Sequence, residues 1–132
     1  MRGGLLVITA TCAQPADVVV ERLKAAVGAL SMALITHIDG QANAARKGLR
    51  AGPDQILEVF RPDFAVRVWA ADKRAGLDIP IRYHVYEQDG VTHMSYRAPS
   101  AIFAPYANPE LDALARELDV IFAEIFARGQ AA

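Results

Sequence analysis

The Asp89-Gly90 pair constrains the fold of this chain more than any other feature, because it stands between two segments of alternating polarity. Asp-Gly is a strong signal for the two-residue turn of a β-hairpin, in which both residues need positive φ. With such a turn, Gln88 pairs with Val91, and counting outward pairs Tyr86 with His93. The pattern therefore predicts two antiparallel strands over Ile81–Glu87 and Val91–Arg97.

The predicted hairpin has one apolar and one polar face, because successive side chains of a strand point to opposite sides. The apolar set comprises Ile81, Tyr83, Val85, Met94 and Tyr96. The polar set comprises Arg82, His84, Tyr86, His93, Ser95 and Arg97, in which His84 lies opposite Ser95 and Arg82 opposite Arg97. Arginine and histidine side chains suit the binding of an anion or a small polar ligand. The same pattern is also typical of the solvated side of an antiparallel sheet, or of a subunit interface.

The rest of the chain alternates between strand and helix signals. Short β-branched runs predict strands, and apolar residues three and four apart predict helices. The predicted strands before the hairpin are Leu5–Thr11, Met32–Asp39 and Gln55–Phe60. A first helix begins near Pro15. Three further helices begin near Gln41, Pro62 and Asn108 and end at Gly48, Gly76 and Gly129, respectively. The order β-α-β-(α)-β-α-β-β-α predicts one α+β domain over residues 1–132. We expect a predominantly antiparallel sheet of about five strands with helices on one face.

Composition excludes several classes of protein. A net charge of −1 over 132 residues argues against a general nucleic-acid binder, which would show a basic excess. The single cysteine, Cys12, cannot form an internal disulfide. No apolar run approaches the length of a transmembrane helix, and the run Leu5–Ile8 is shorter than a signal peptide requires. We therefore expect a cytoplasmic protein that binds neither membrane nor nucleic acid.

His37 and Asp39 lie two residues apart and share a face of the second predicted strand. The pair could orient each other or a ligand, and His37 is a candidate general base. A metal site needs a third ligand, which the spacing does not supply, so we predict no metal and no cofactor. Asp39 also has a simpler role available, as the cap of the helix that begins near Gln41.

Short motifs follow one another in a fixed order from Ile38 onward. They are Ile38-Asp39 at a strand end, an Ala-rich helix over Ala42–Gly48, "VFRPD" at Val59–Asp63, "GLDIPIR" at Gly76–Arg82 and "EQDGVTHMSYRAP" at Glu87–Pro99. This order resembles the DUF302 family, which is named for its unknown function. The resemblance implies an α+β sheet with helices on one face and a homodimer, and it supplies no reaction.

Three positions depart from the family pattern. Many relatives carry a histidine directly after the Ile-Asp, where this chain has Gly40. They usually have Asn-Pro after the third strand, where this chain has Arg61-Pro62, and a Gly-containing turn where it has Ala65-Val66. If those positions form a shared site, this protein has altered or lost it.

Three functions are compatible with these patterns. The leading hypothesis is a small-ligand-binding domain that acts as a homo-oligomer and takes a polar or anionic ligand. Its candidate site residues are Asp39, Arg61, Arg82, His84, His93 and Arg97. The alternative is an enzyme that uses His37 or His84 as general base with Asp39 orienting it. The third is a structural or partner-binding module with an apolar surface formed by Trp69, Tyr86 and the segment 98–107.

Overall fold

A five-stranded antiparallel sheet organises the part of the chain that the computed structural model describes, residues 6–131. The strands are β1 (Val7–Cys12), β2 (Ala33–Asp39), β3 (Asp54–Phe60), β4 (Ile81–Gln88) and β5 (Val91–Arg97). Their order across the sheet is β1-β5-β4-β3-β2, and every neighbouring pair is antiparallel. β4 is therefore the central strand, and β1 and β2 form the two edges.

The hairpin between β4 and β5 has the predicted register. Tyr86 pairs with His93 and Gln88 with Val91. Asp89 and Gly90 have φ of 54° and 77°, the positive values that a two-residue hairpin turn requires.

The helices of residues 6–131 are α1 (Ala16–Ala29), α2 (Gly40–Ala45), α3 (Pro62–Ala71), α4 (Pro99–Phe103) and α5 (Pro109–Gln130), with short 3-10 segments at Lys73–Asp78 and Ala104–Tyr106. All of them except α2, which has no buried residue, pack on one face of the sheet and bury its apolar side chains. The sequence prediction of an α+β fold is confirmed. Within residues 6–131 no helix is long and apolar enough to cross a membrane. The cytoplasmic location stays a prediction.

Tyr83 of β4 lies at the centre of the core between the sheet and α5. None of its surface is exposed, and its ring stacks on that of Phe122 at a centroid distance of 5.7 Å. Its hydroxyl donates a hydrogen bond of 2.7 Å to the Phe122 carbonyl oxygen. Burial raises the pKa of Tyr83 far above its ordinary value, because the phenolate could not be solvated there.

Three sequence-based boundaries were wrong. The helix that begins at Pro62 ends at Ala71 rather than near Gly76, because Asp72 takes an extended conformation and caps the following 3-10 segment. The segment 98–107, expected as a connection, contains α4. Gly129 lies inside α5, where a Cβ would be 2.8 Å from Leu23 Cγ, so the glycine serves packing rather than helix termination. Leu5 lies outside the described residues, and β1 begins at Val7.

Candidate functional site

The face of the sheet opposite the helices carries the polar side chains of the hairpin. The strand registers align the side chains of this face in rows across the sheet. Every side chain of this face is exposed or half-buried, whereas the alternate residues of the central strands point to the other face and are buried. We call this set the open face; it comprises Val7, Thr9, Thr11, Thr36, Ile38, Asp54, Ile56, Glu58, Arg82, His84, Tyr86, His93, Ser95 and Arg97.

Three rings form a stacked row on the open face. The ring centroids of His84 and Tyr86 are 4.8 Å apart, and those of Tyr86 and His93 are 4.9 Å apart, with interplanar angles of 26° and 10°. His84 Nε2 lies 2.8 Å from Asp54 Oδ1. Tyr86 therefore stacks with both histidines, and the imidazole and phenol groups of the row carry polar atoms that a ligand could contact.

A cavity of about 460 Å³ lies on the open face where β4 begins and β5 ends. Its polar lining comprises Glu58, Arg82, His84, Ser95 and Arg97 of β3, β4 and β5, and Asp78 of the segment before β4. Its apolar lining comes mainly from the segment before β4 and from α4, and includes Leu77, Ile79, Pro80 and Ile102. We call this the hairpin-base cavity. Polar hydrogen-bonding groups and aliphatic side chains therefore line the same cavity.

The charged side chains of the hairpin-base cavity differ in whether they have a hydrogen-bond or ion-pair partner within residues 6–131. Glu58 accepts hydrogen bonds from Arg82 at 3.0 Å and from Thr36 at 2.7 Å. Asp78, which also lines the cavity, accepts a hydrogen bond from the Tyr106 hydroxyl, and this bond raises the pKa of Tyr106. Arg97 forms no hydrogen bond or ion pair with any residue between 6 and 131. Among residues 6–131, Arg97 is thus a cation of the cavity without an ion-pair partner, beside two carboxylates that each accept a hydrogen bond.

A second cavity of about 320 Å³ adjoins the first on the β1 side. The two share Val7 and Ser95, and the second is also lined by Tyr86 and His93. His93 therefore lies near the hairpin-base cavity without lining it.

The structure brings together some of the predicted site residues and separates others. Arg82, His84 and Arg97 line the hairpin-base cavity. Asp39 instead caps α2, accepting a hydrogen bond of 2.9 Å from the Ala42 amide, which confirms its predicted capping role. Asp39 does not belong to the open face, because it pairs with Gln55 near the start of β3.

Arg61 lies beyond the other end of β3, roughly 20 Å from the level of Asp39 at the usual rise of a strand. Its guanidinium binds Asp63 and packs over the ring of Phe64, 4.4 Å from the centroid. The hydrogen bond from Arg61 holds the pKa of Asp63 below its ordinary value. The predicted joint site of Asp39, Arg61 and the hairpin histidines is therefore not assembled.

His37 lies on the helix-bearing side of the sheet, opposite to His84. Its Nε2 is 2.6 Å from Oε1 of the buried Gln55, whose amide nitrogen donates to Asp17 at 2.8 Å. This chain of hydrogen bonds orients the imidazole ring, but His37 lines neither of the two cavities. An active site that combines His37 with His84 is excluded by their positions. Among residues 6–131 no cluster of three or more His, Cys, Asp or Glu side chains could hold a metal ion.

The three departures from the family pattern lie away from both cavities. A Cβ on Gly40 would be 3.0 Å from the Asp54 carbonyl oxygen, so a larger residue there would press on β3. Arg61 is bound to Asp63, and Ala65 is buried in α3.

Sequence reasoning missed the apolar wall of the hairpin-base cavity. The sequence places Leu77 and Ile79 in the entry to a strand and Ile102 in the connecting segment 98–107, and none of the three is among the predicted ligand-binding residues. One signal was available, since "GLDIP" places two aliphatic residues in a segment without helical or strand periodicity. The predicted partner surface is also divided, because Tyr86 lies on the open face and Trp69 on α3.

Comparison with known proteins identifies relatives without a described activity. A family model described as "Domain of unknown function DUF302" matches residues 8–128. No protein with a curated description matches the chain. A solved structure, "Crystal structure of uncharacterized conserved protein DUF302 from Bacillus stearothermophilus", is similar with a TM-score of 0.84 and 22% identity, covering 94% of this chain and 98% of that chain. At this identity the likeness shows the fold alone.

Proposed function

The chain belongs to the DUF302 family, and from the geometry of its open face we propose that it is a ligand-binding domain that holds a small anion in the hairpin-base cavity. The observation that carries this proposal is Arg97, an exposed cation that lines the cavity without a partner among residues 6–131. Arg82 stands on the neighbouring strand and His84 and Ser95 in the next row, and all three line the same cavity.

An anion suits this arrangement better than a cation. Both carboxylates of the cavity already accept hydrogen bonds, Glu58 from Arg82 and Asp78 from Tyr106. The planar guanidinium of Arg97 offers parallel donors that match the oxygens of a carboxylate or phosphate. A bound anion would therefore take the donors of Arg97 without displacing an existing ion pair.

The test measures binding of inorganic phosphate and of butanoate by calorimetry and by the shift in melting temperature. We expect millimolar or tighter binding by the wild type and at least a tenfold loss in Arg97→Ala. Arg116→Ala is the matched control, since Arg116 is an exposed arginine on α5 without a hydrogen-bond partner among residues 6–131. It should bind like the wild type. Absence of binding by either anion, or unchanged binding in Arg97→Ala, would refute the proposal.

We also propose that the protein is a homodimer in which the β2 strands of two copies pair. The support is the exposure of this edge strand, on which Leu34, Ile35 and Ile38 are 37%, 49% and 43% exposed. An exposed apolar edge is a template for pairing with another chain. Antiparallel pairing of the two β2 strands would give partners to the unpaired backbone groups of this edge.

A charged residue on the edge strand tests this pairing. In Ile35→Lys the dimer should dissociate to monomer, as measured by light scattering coupled to size exclusion. The control is Val120→Lys, which places the same charge at an exposed valine of α5 and should leave the dimer intact. A wild-type monomer, or an Ile35→Lys variant that remains dimeric, would contradict the proposal.

A further inference from the structure

We infer that the ligand of the hairpin-base cavity is an amphiphilic anion, an aliphatic carboxylate whose chain lies along the apolar wall. This inference rests on the proposed anion site and names its ligand class. The wall consists of Leu77, Ile79, Pro80 and Ile102, and it lines the same cavity as Arg97. A purely polar anion would use only the Arg97 side of the cavity.

Leu77 is the main support for an apolar ligand chain. Its surface is 87% exposed, the largest exposed fraction among the large hydrophobic residues that the structure describes. Its neighbours on both sides are held in place. Gly76 packs against the indole of Trp69, and the Asp78 carboxylate accepts a hydrogen bond from Tyr106. The leucine is thus kept at the rim of the cavity by its own backbone neighbours, where it gains little from the core. A ligand chain that covered it would remove apolar surface from water.

The cavity, about 460 Å³ in volume, has room for an aliphatic chain beside a carboxylate. The cavity opens to solvent, so a ligand would fill part of it. A carboxylate of six to eight carbons would bind Arg97 with its charged end and lay its chain on part of the apolar wall, which includes Leu77. Each methylene placed on the wall should then tighten binding about twofold to fourfold.

The experiment compares a homologous series of straight-chain carboxylates by calorimetry. Acetate, butanoate, hexanoate and octanoate are titrated into the wild type, Leu77→Ser and Leu49→Ser. Leu49 is the matched control because it is also an exposed leucine, 64% exposed, and does not line the cavity. Neither serine variant removes core packing, so both should fold. Octanol, which has the chain without the charge, is the final titrant.

We expect octanoate to bind the wild type and Leu49→Ser at least tenfold more tightly than butanoate does. Leu77→Ser should lose most of that gain while binding butanoate as the wild type does, and octanol should bind more weakly than octanoate. If butanoate binds through Arg97 and longer chains bind no more tightly, the anion site stands and the amphiphilic ligand is wrong. A gain that persists in Leu77→Ser, or octanol binding equal to octanoate, also overturns the inference. If no carboxylate and no phosphate binds, both proposals fail.

Discussion

Replacing Tyr83 by phenylalanine removes one buried hydroxyl and leaves the surrounding packing in place. The hydroxyl donates a hydrogen bond of 2.7 Å to the Phe122 carbonyl oxygen, and Tyr83 is fully buried. One intramolecular hydrogen bond contributes about 0.5–1.5 kcal/mol net. The Phe122 carbonyl lies inside α5 and keeps its helical hydrogen bond, so no buried acceptor is left without a donor. We therefore expect Tyr83→Phe to lose about 1 kcal/mol of unfolding free energy.

The assay is urea unfolding followed by far-ultraviolet circular dichroism, with a thermal scan beside it. For a chain of 132 residues, a loss of this size lowers the melting temperature by about 4 °C. Tyr96→Phe is the matched control, because the Tyr96 ring lies 5.1 Å from that of Tyr83 and its hydroxyl has no partner among residues 6–131. The control should change stability by less than about 0.5 kcal/mol. Equal losses in the two variants, or a Tyr83→Phe protein as stable as the wild type, would refute the reasoning.

Three further substitutions test other parts of the structure. Asn108→Ala should lose about 1–2 kcal/mol of unfolding free energy in urea, because the Asn108 side chain caps α5 and also donates a hydrogen bond to the Ala71 carbonyl oxygen. Asn108→Asp keeps the cap and should recover part of this loss. Equal stability of the two variants would contradict the reasoning. Gly129→Ala should lower the free energy of unfolding by about 1 kcal/mol net, because the clash of the new Cβ with Leu23 outweighs the better helix propensity of alanine. A higher melting temperature of this variant would contradict the prediction. A hydrogen bond from an arginine of α3 lowers the pKa of Glu117 from its ordinary value of 4.5. The contribution of Glu117 to folding stability is therefore fully present above pH 4.5, and it is lost as the pH falls through the lower pKa of the folded protein. Glu117→Gln should therefore differ from the wild type at pH 6 and converge with it in acid, and a pH-independent difference in unfolding free energy would be inconsistent with this cause.

The resemblance to DUF302, read from the order of short motifs, was confirmed by a family match over most of the chain. That resemblance could identify a fold but not a reaction, since the family is itself described by its unknown function. The homodimer that it implied, and the ligand predicted from the polar face of the hairpin, stay predictions until mass and binding are measured.

The sequence by itself determined the local elements and the faces of the hairpin. Asp89-Gly90 specified the turn, and the period of two then placed His84 and Arg82 on one side and Tyr83 on the other. Asn108 likewise specified the start of α5. These features follow from backbone geometry and neighbouring residues, so a single sequence is sufficient to predict them.

The tertiary structure decided which distant residues share a cavity. Asp39 and Arg61, both candidates for one site with the hairpin histidines, flank β3 at opposite ends. His37, the candidate general base, lies on the helix-bearing side of the sheet. Leu77 joins Arg97 only because the 3-10 segment before β4 ends beside the last residues of β5. Such proximity depends on strand order and on where loops pack. Neither is encoded in the spacing of residues along the chain, because segments far apart in sequence contribute to both.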